Sequence, residues 1–246
     1  MRRVAVVNHK GGTGKTTTAV HLAAGLAEAG HRVLLVDLDP QGNIGQWFGV
    51  APRDVRLVDL LESRAGPREC AVEVRDRLDV IASDWRLAEA EEGLVRGRER
   101  ENWLARRLSK LEGYDYVVVD CAPSMSILTT SALAYAEEVV IPISMEYLAL
   151  IGVKQIIENI LRMTHGNGGR IRITAVVPTF YQRNLRKSGQ ILRALERHFA
   201  DAVADPIRTN VRLSEAPSHR QTIFEYSPRS HGAEDYRRLV TRFVDA

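Results

Sequence analysis

The segment Lys10-Gly11-Gly12-Thr13-Gly14-Lys15-Thr16-Thr17 gathers residue types suited to holding a polyphosphate. It joins a short apolar run, Val4–Val7, to a stretch with helical periodicity that begins at Thr16. A strand, a glycine-rich turn and a helix N-terminus direct several backbone N–H groups, and the positive end of a helix dipole, at an anion. Glycines let the chain approach the phosphates closely. Lys15 would supply a point charge for the β- and γ-phosphates, and the Thr16 hydroxyl would ligate Mg²⁺. The pattern G-x-x-x-x-G-K-[ST] is met except at its first glycine, which falls on His9, and a lysine follows at position 10. Lysine is scarce here: only five of the 34 basic residues are Lys, yet two of them stand in this segment.

Two acidic segments follow apolar runs, where ligands gather in open α/β sheets. Val33–Val36 leads into Asp37-Leu38-Asp39-Pro40, and Tyr116–Val119 leads into Asp120-Cys121-Ala122-Pro123. Asp after a strand is often a turn or cap residue. Beside a phosphate loop, such carboxylates become partners for the magnesium ion held by Thr16. A dinucleotide fingerprint, with Asp37 as ribose partner, is the nearest competitor. It fails because Lys15, Thr16 and Thr17 follow Gly14 where a closing glycine is required.

These residues need a scaffold, and the apolar pattern supplies one. Strands are predicted at Val4–Val7, Val33–Val36, Val80–Ile81, Tyr116–Val119, Val139–Ile143 and Ile171–Val177. Helices are predicted over Thr16–Ala29, Trp85–Val95, Asn102–Leu111, Ile127–Ala136, Ile151–Met163 and Ser188–Phe199. Gly166–Gly169 reads as a turn or loop, and the segments Gly42–Asp54 and Gly66–Leu78 are less regular. The alternation implies an α/β class, a doubly wound and mostly parallel sheet flanked by helices. A length of 246 residues without repeat or linker suggests one domain spanning 1–246, with no DNA-binding extension before it.

Composition excludes several classes. Hydrophobic residues make up 45% and charged residues 26%, which argues against disorder and against a disulfide-stapled miniprotein. Cys70 and Cys121 are too far apart for a metal-binding pair and fit a reducing cytoplasm. No apolar run reaches the ~18 residues of a membrane span, and Val4–Val7 is too short for a signal-peptide core.

The motifs KGGTGKTTTAVHLA, VLLVDLDPQGN, YDYVVVDCAPS, EYLALIGV, NVRLSEAPSH and SPRSHGAEDY together resemble the ParA/Soj family of partition ATPases, in the group that includes MinD and the nitrogenase iron protein. The likeness covers nearly the whole chain and implies a P-loop fold of the deviant Walker A type. It implies that Lys10 reaches the nucleotide of a second subunit, so that ATP is sandwiched in a homodimer. Asp39 then resembles the residue that orients the attacking water, Asp37 supports the metal region, and Asp120 matches the Walker B carboxylate. Glu146–Gly152 matches a nucleotide-sensing segment. The chain departs from the family pattern at Thr13, at Cys121, around Gln182, and at Ile207-Arg208-Thr209-Asn210, where the family often reads I-P-R-N beside the adenine.

The net charge of +3 is mild, but its distribution is not. Residues 171–246 hold 13 Lys/Arg against 8 Asp/Glu, while residues 1–170 hold 21 against 23. The resemblance implies non-specific DNA binding by the ATP dimer through C-terminal arginines, matching Arg212 and, less directly, Arg183. Arg186, Lys187, Arg208, Arg220 and Arg229 are further candidates by charge. The implied protein is a cytoplasmic, nucleoid-associated Mg²⁺-ATPase, slow until a ParB/Spo0J-like activator stimulates it. Three alternatives stay open: positioning of a protein cargo, a MinD-like membrane-site regulator using the basic helix at 236–244, and a small-molecule kinase or ligase on the same scaffold. The terminal helix is expected to pack on the core, so no stable membrane association is expected.

Overall fold

Seven strands pair into one sheet in the computed structural model, which describes residues 1–51, 56–95, 100–124, 126–145 and 171–245. They are β1 (Arg2–Val6), β2 (Val33–Leu38), β3 (Val72–Arg75), β4 (Leu78–Ile81), β5 (Tyr116–Cys121), β6 (Glu138–Ser144) and β7 (Arg172–Thr179). Their order is β3-β4-β2-β5-β1-β6-β7, and every pairing is parallel except β3 with β4. The central strands are apolar at every position along most of their length because both faces are covered. Alternate residues serve opposite layers: Leu34, Val36, Val117 and Val119 join one buried cluster, while Val33, Leu35, Tyr116 and Val118 join the other.

The helices are α1 (Lys15–Glu28), α2 (Asn43–Phe48), α3 (Leu57–Leu61), α4 (Pro67–Cys70), α5 (Arg86–Val95), α6 (Trp103–Arg107), α7 (Ile127–Tyr135), α8 (Arg186–Phe199), α9 (Val211–Glu215), α10 (Ile223–Tyr226) and α11 (His231–Val244). α1 and α11 pack against each other on one face. Tyr236, Leu239, Val240 and Phe243 of α11 are all buried there, so the apolar stripe of the terminal helix is spent on the core. The contact is close. A Cβ at Gly25 of α1 would fall 2.4 Å from a Val240 methyl. Among the described residues, no helix is long and apolar enough to cross a membrane.

Short helices α2, α3, α4, α9 and α10 are not expected from the sequence, and two further elements differ from the expectation. β3 lies in the irregular stretch 66–78; it is an edge strand whose residues are only partly buried, so no continuous apolar run marks it. The helix expected over 102–111 is a 3₁₀ turn, Arg100–Asn102, followed by the short α6. Its apolar spacing persists because Leu108 and Leu111 are carried into the core by turns that follow α6. The expected helix 151–163, the loop 166–169 and the Glu146–Gly152 segment lie outside the described residues.

Candidate functional site

β1, β2 and β5 are neighbours, so the loops leaving their C-terminal ends meet above the middle of the sheet. The first carries the glycine-rich segment. Gly12 (φ 71°) and Gly14 (φ 83°) both adopt left-handed backbone, which a residue with a Cβ adopts at a cost, and Gly14 is the N-cap of α1. The loop is braced from β7, where the Thr179 hydroxyl donates to the Thr13 carbonyl at 2.9 Å. The Asn8 side chain accepts from the Lys10 amide at 3.0 Å and donates to the Pro142 carbonyl at 2.7 Å. Lys15 is buried, and its ammonium donates to the Lys10 carbonyl at 3.1 Å, curled over the loop that it serves. Burial lowers its pKa, while the carboxylates of Asp120 and Asp39 oppose that shift and hold the charge in place.

The sheet register sets Asp37 beside Asp120. Their roles differ. Both oxygens of Asp37 accept backbone N–H groups, from Asp39 at 3.0 Å and Ile44 at 3.2 Å, so this carboxyl staples the loop between β2 and α2. Complete burial and the neighbouring Asp120 push its pKa well above the ordinary carboxylate range. Asp39 stands at the top of that loop, with one carboxylate oxygen accepting from the Gln41 amide at 3.0 Å. The Ser83 hydroxyl donates to the Asp39 carbonyl. Gly42 completes the turn at φ 63°, where a Cβ would stand 2.7 Å from the Ser83 carbonyl oxygen. Glycine is required there on both counts.

Asp120 is the unbalanced group. It is 1% exposed, and neither carboxylate oxygen is in a formed hydrogen bond. Burial pushes its pKa up to about 7, although the nearby Thr16 hydroxyl and Lys15 ammonium favour its charged form. A buried carboxylate without donors is costly unless a cation completes it. One hydroxyl and one carboxylate are hard oxygen donors that fit Mg²⁺, an ion that keeps several waters and phosphate oxygens in its shell. Among the described residues no group of three or more His, Cys, Asp or Glu could form a dedicated metal cage.

Beside the loop lies a mostly apolar cavity of about 430 Å³, lined by Gly14, Thr17, Phe180, Asn210 and Tyr236 among others. Its size and polarity suit a purine base. The departing segment 207–210 forms part of this wall, and Arg208 is tied down in it by ion pairs to Asp235 at 2.5 Å and Glu234 at 2.6 Å. Arg208 is therefore a wall residue, although charge alone made it a DNA candidate.

The other arginines do not share one setting. Arg183 and Arg186 are exposed at the start of α8, and Arg212 is exposed on α9, paired with Glu215 at 2.8 Å. Arg220 follows α9 in left-handed backbone, and its side chain lies over Gly49 on the groove flanking the Asp39 loop.

Comparison with known proteins decides the family. The AAA domain family matches residues 1–173. The sporulation initiation inhibitor protein Soj of Bacillus subtilis is 40% identical over 242 residues, covering 96% of each chain. The chromosome-partitioning ATPase Soj of Thermus thermophilus is 41% identical, covering 98% of this chain and 94% of its own. The chain belongs to the ParA/Soj family. Among solved structures, cobyrinic acid a,c-diamide synthase of Mycobacterium smegmatis, with a bound ATP analogue and magnesium, is similar at TM-score 0.83 and 31% identity over 99% of this chain and 94% of that one. A putative plasmid partition protein of Borrelia burgdorferi bound to AMPPNP reaches TM-score 0.87 at 21% identity, over 99% and 98% of the two chains, a likeness of fold.

The ParA/Soj motifs contain three further residues whose settings the sequence alone does not assign. Tyr236 reaches the cavity beside the loop from the far end of the chain, and Asp235 next to it fixes Arg208. His21 sits fully buried in α1 one turn beyond Thr17. In the sequence it is a polar residue between Val20 and Leu22, at the apolar end of the motif KGGTGKTTTAVHLA.

Proposed function

We propose that this chain is a Mg²⁺-dependent ATPase that dimerises on ATP, holds double-stranded DNA without sequence preference in that state, and drives DNA segregation with a ParB/Spo0J-like activator. The observation that carries the reading is Asp120: a buried carboxylate in no formed hydrogen bond, beside Lys15 and Thr16, at the foot of a glycine-rich loop with a base-sized cavity beside it. The segregation role draws its support from the family.

In this reading the backbone amides of residues 11–17 and the N-terminus of α1 cradle the phosphates, and Lys15 neutralises the β- and γ-oxygens. Thr16 and Asp120 would hold Mg²⁺, which supplies charge neutralisation and Lewis acidity at the γ-phosphate. Asp37 acts on the metal region only indirectly, through the loop that it staples. That loop presents Asp39 to orient the attacking water. Lys10 reaches the nucleotide of a second copy of the chain. Two polyphosphates face to face repel, so a cation crossing the interface makes dimerisation depend on nucleotide. Arg212, with Arg183, Arg186 and Arg220, contacts phosphates of the DNA.

The deciding experiment is retention on DNA across a salt series with ATP, ADP or no nucleotide, for wild type, Lys10→Ala, Asp39→Ala and Arg212→Ala. Wild type should be retained with ATP only. Lys10→Ala should lose ATP-dependent dimerisation and retention, Asp39→Ala should stay bound without turnover, and Arg212→Ala should dimerise yet bind weakly. Retention that ignores nucleotide, or none in any state, overturns the proposal. Turnover that needs a metabolite and ignores Lys10→Ala would favour a ligase instead.

A further inference from the structure

His21 stands where the nucleotide site meets the arginine-bearing end of the chain. Its Nδ1 lies 2.7 Å from the Thr17 carbonyl, which can only accept, and its Nε2 lies 2.8 Å from the Ile223 amide, which can only donate. The partners thus fix a neutral imidazole with the proton on Nδ1. Its ring stacks on Tyr236 at 4.7 Å between centroids and meets Trp47 and Phe224 edge-on at 5.5 and 5.7 Å.

Both sides of this residue lead somewhere. Thr17 and Tyr236 line the base cavity, and the Tyr236 hydroxyl is hydrogen-bonded with Thr18 at 3.3 Å. Ile223 opens α10, a single turn made rigid by a capping box in which Thr222 and Glu225 satisfy each other's backbone amides. At the end of that turn the Tyr226 hydroxyl donates to Glu215 at 3.0 Å, and the same carboxylate oxygen holds Arg212 at 2.8 Å. Trp47 of α2, beyond the Asp39 loop, donates to the Gln221 carbonyl and so grips the same segment. A chain of hydrogen bonds and one rigid turn therefore runs from the base cavity through His21 to Arg212.

We infer that His21 is a positioning residue that transmits nucleotide occupancy to the 218–226 segment and thereby to Arg212. Filling the base cavity orders Thr17 and Tyr236, which fixes the imidazole, and a fixed imidazole holds the Ile223 amide and the turn behind it. The effect on DNA rests on the function proposed above; the coupling to residues 218–226 does not.

The test compares wild type, His21→Phe and His21→Gln as full-length proteins. His21→Phe keeps a stacking ring and removes both hydrogen bonds, while His21→Gln keeps an acceptor for the Ile223 amide. Hydrogen exchange at amides 218–226, none of which lines the cavity, is read with and without Mg-AMPPNP. AMPPNP should slow exchange there at least tenfold in wild type and in His21→Gln, and by less than twofold in His21→Phe, with AMPPNP affinity within about threefold throughout. DNA affinity with AMPPNP relative to ADP should collapse in His21→Phe alone. Should His21→Phe fail to fold, His21→Asn, which keeps the Nδ1-side donor and loses the acceptor, takes its place with the same expectation. Equal protection of 218–226 in wild type and His21→Phe overturns the inference, as does no protection in wild type. Protection that depends on His21 without any DNA binding would leave the inference standing and remove the proposed function instead.

Discussion

At the scale of single residues, Asp120 shows how a site can be destabilising by itself and still be retained. Its carboxylate is buried without a formed hydrogen bond, a cost that the nearby Lys15 ammonium and Thr16 hydroxyl offset in part and that a bound cation would offset further. Asp120→Asn removes the buried charge and with it the metal partner. The nucleotide-free variant loses a costly buried carboxylate but also the counter-charge of buried Lys15, so its stability should stay within about 1 kcal/mol of wild type. The added thermal stability that Mg²⁺ gives in the presence of AMPPNP should vanish, as two melting series, with Mg²⁺ and with EDTA, will report. A variant that is strongly destabilised without nucleotide would mean that Asp120 is a structural group. Lys15, Thr16 and Asp120 could be found from sequence because each sits at a fixed offset from an apolar run. Asp37 could be found too, but its work could not, since the staple depends on the amide of Ile44 seven residues away.

At the scale of elements, α1 joins the phosphate loop to the far end of the chain through its buried face. His21 is held near a pKa of about 4 by burial, against about 6.5 in an unfolded chain. Glu225 on α10 is the charged group that favours its protonation, Tyr236 of α11 faces it as a neutral phenol, and Trp47 and Phe224 present uncharged rings. A base whose folded pKa is depressed stabilises the fold above its unfolded pKa. Stability should therefore be full above about pH 6.5 and fall by about 3 kcal/mol as the pH drops towards 4. Urea titrations of wild type and His21→Gln across this range should differ in slope by this one group. If the two curves run parallel, the imidazole is not kept neutral by folding. The same helix illustrates what patterning reveals. Its apolar spacing marks it clearly, as it does the buried strands, whereas edge strand β3 and the turns after α6 bury too little, or too irregularly, to leave a periodic trace.

At the scale of the whole molecule, the question is what the positive C-terminal third is for. A count of charges treats Arg208 and Arg212 alike, but folding separates them. Arg208 is spent on Asp235, a carboxylate with a fully buried side chain, and on Glu234. Arg212 is exposed and paired with Glu215 at the surface, an interaction that a DNA phosphate can outcompete. The two substitutions should therefore fail in different ways. Arg208→Ala leaves Asp235 with one backbone donor and the Arg238 guanidinium at 3.9 Å, and should cost about 2 kcal/mol of stability, without changing how DNA affinity depends on salt. Arg212→Ala should leave the melting curve in place. If, as proposed, AMPPNP yields a dimer in which each Arg212 contacts one phosphate, the slope of log affinity against log salt should fall by about 2, equally for unrelated DNA sequences. If the slope falls for Arg208→Ala and stays for Arg212→Ala, the DNA-facing surface has been assigned to the wrong side of the base cavity. Were both slopes to fall together, the ion pairs of Arg208 would have to open when DNA binds, and the cavity wall would itself be part of the switch.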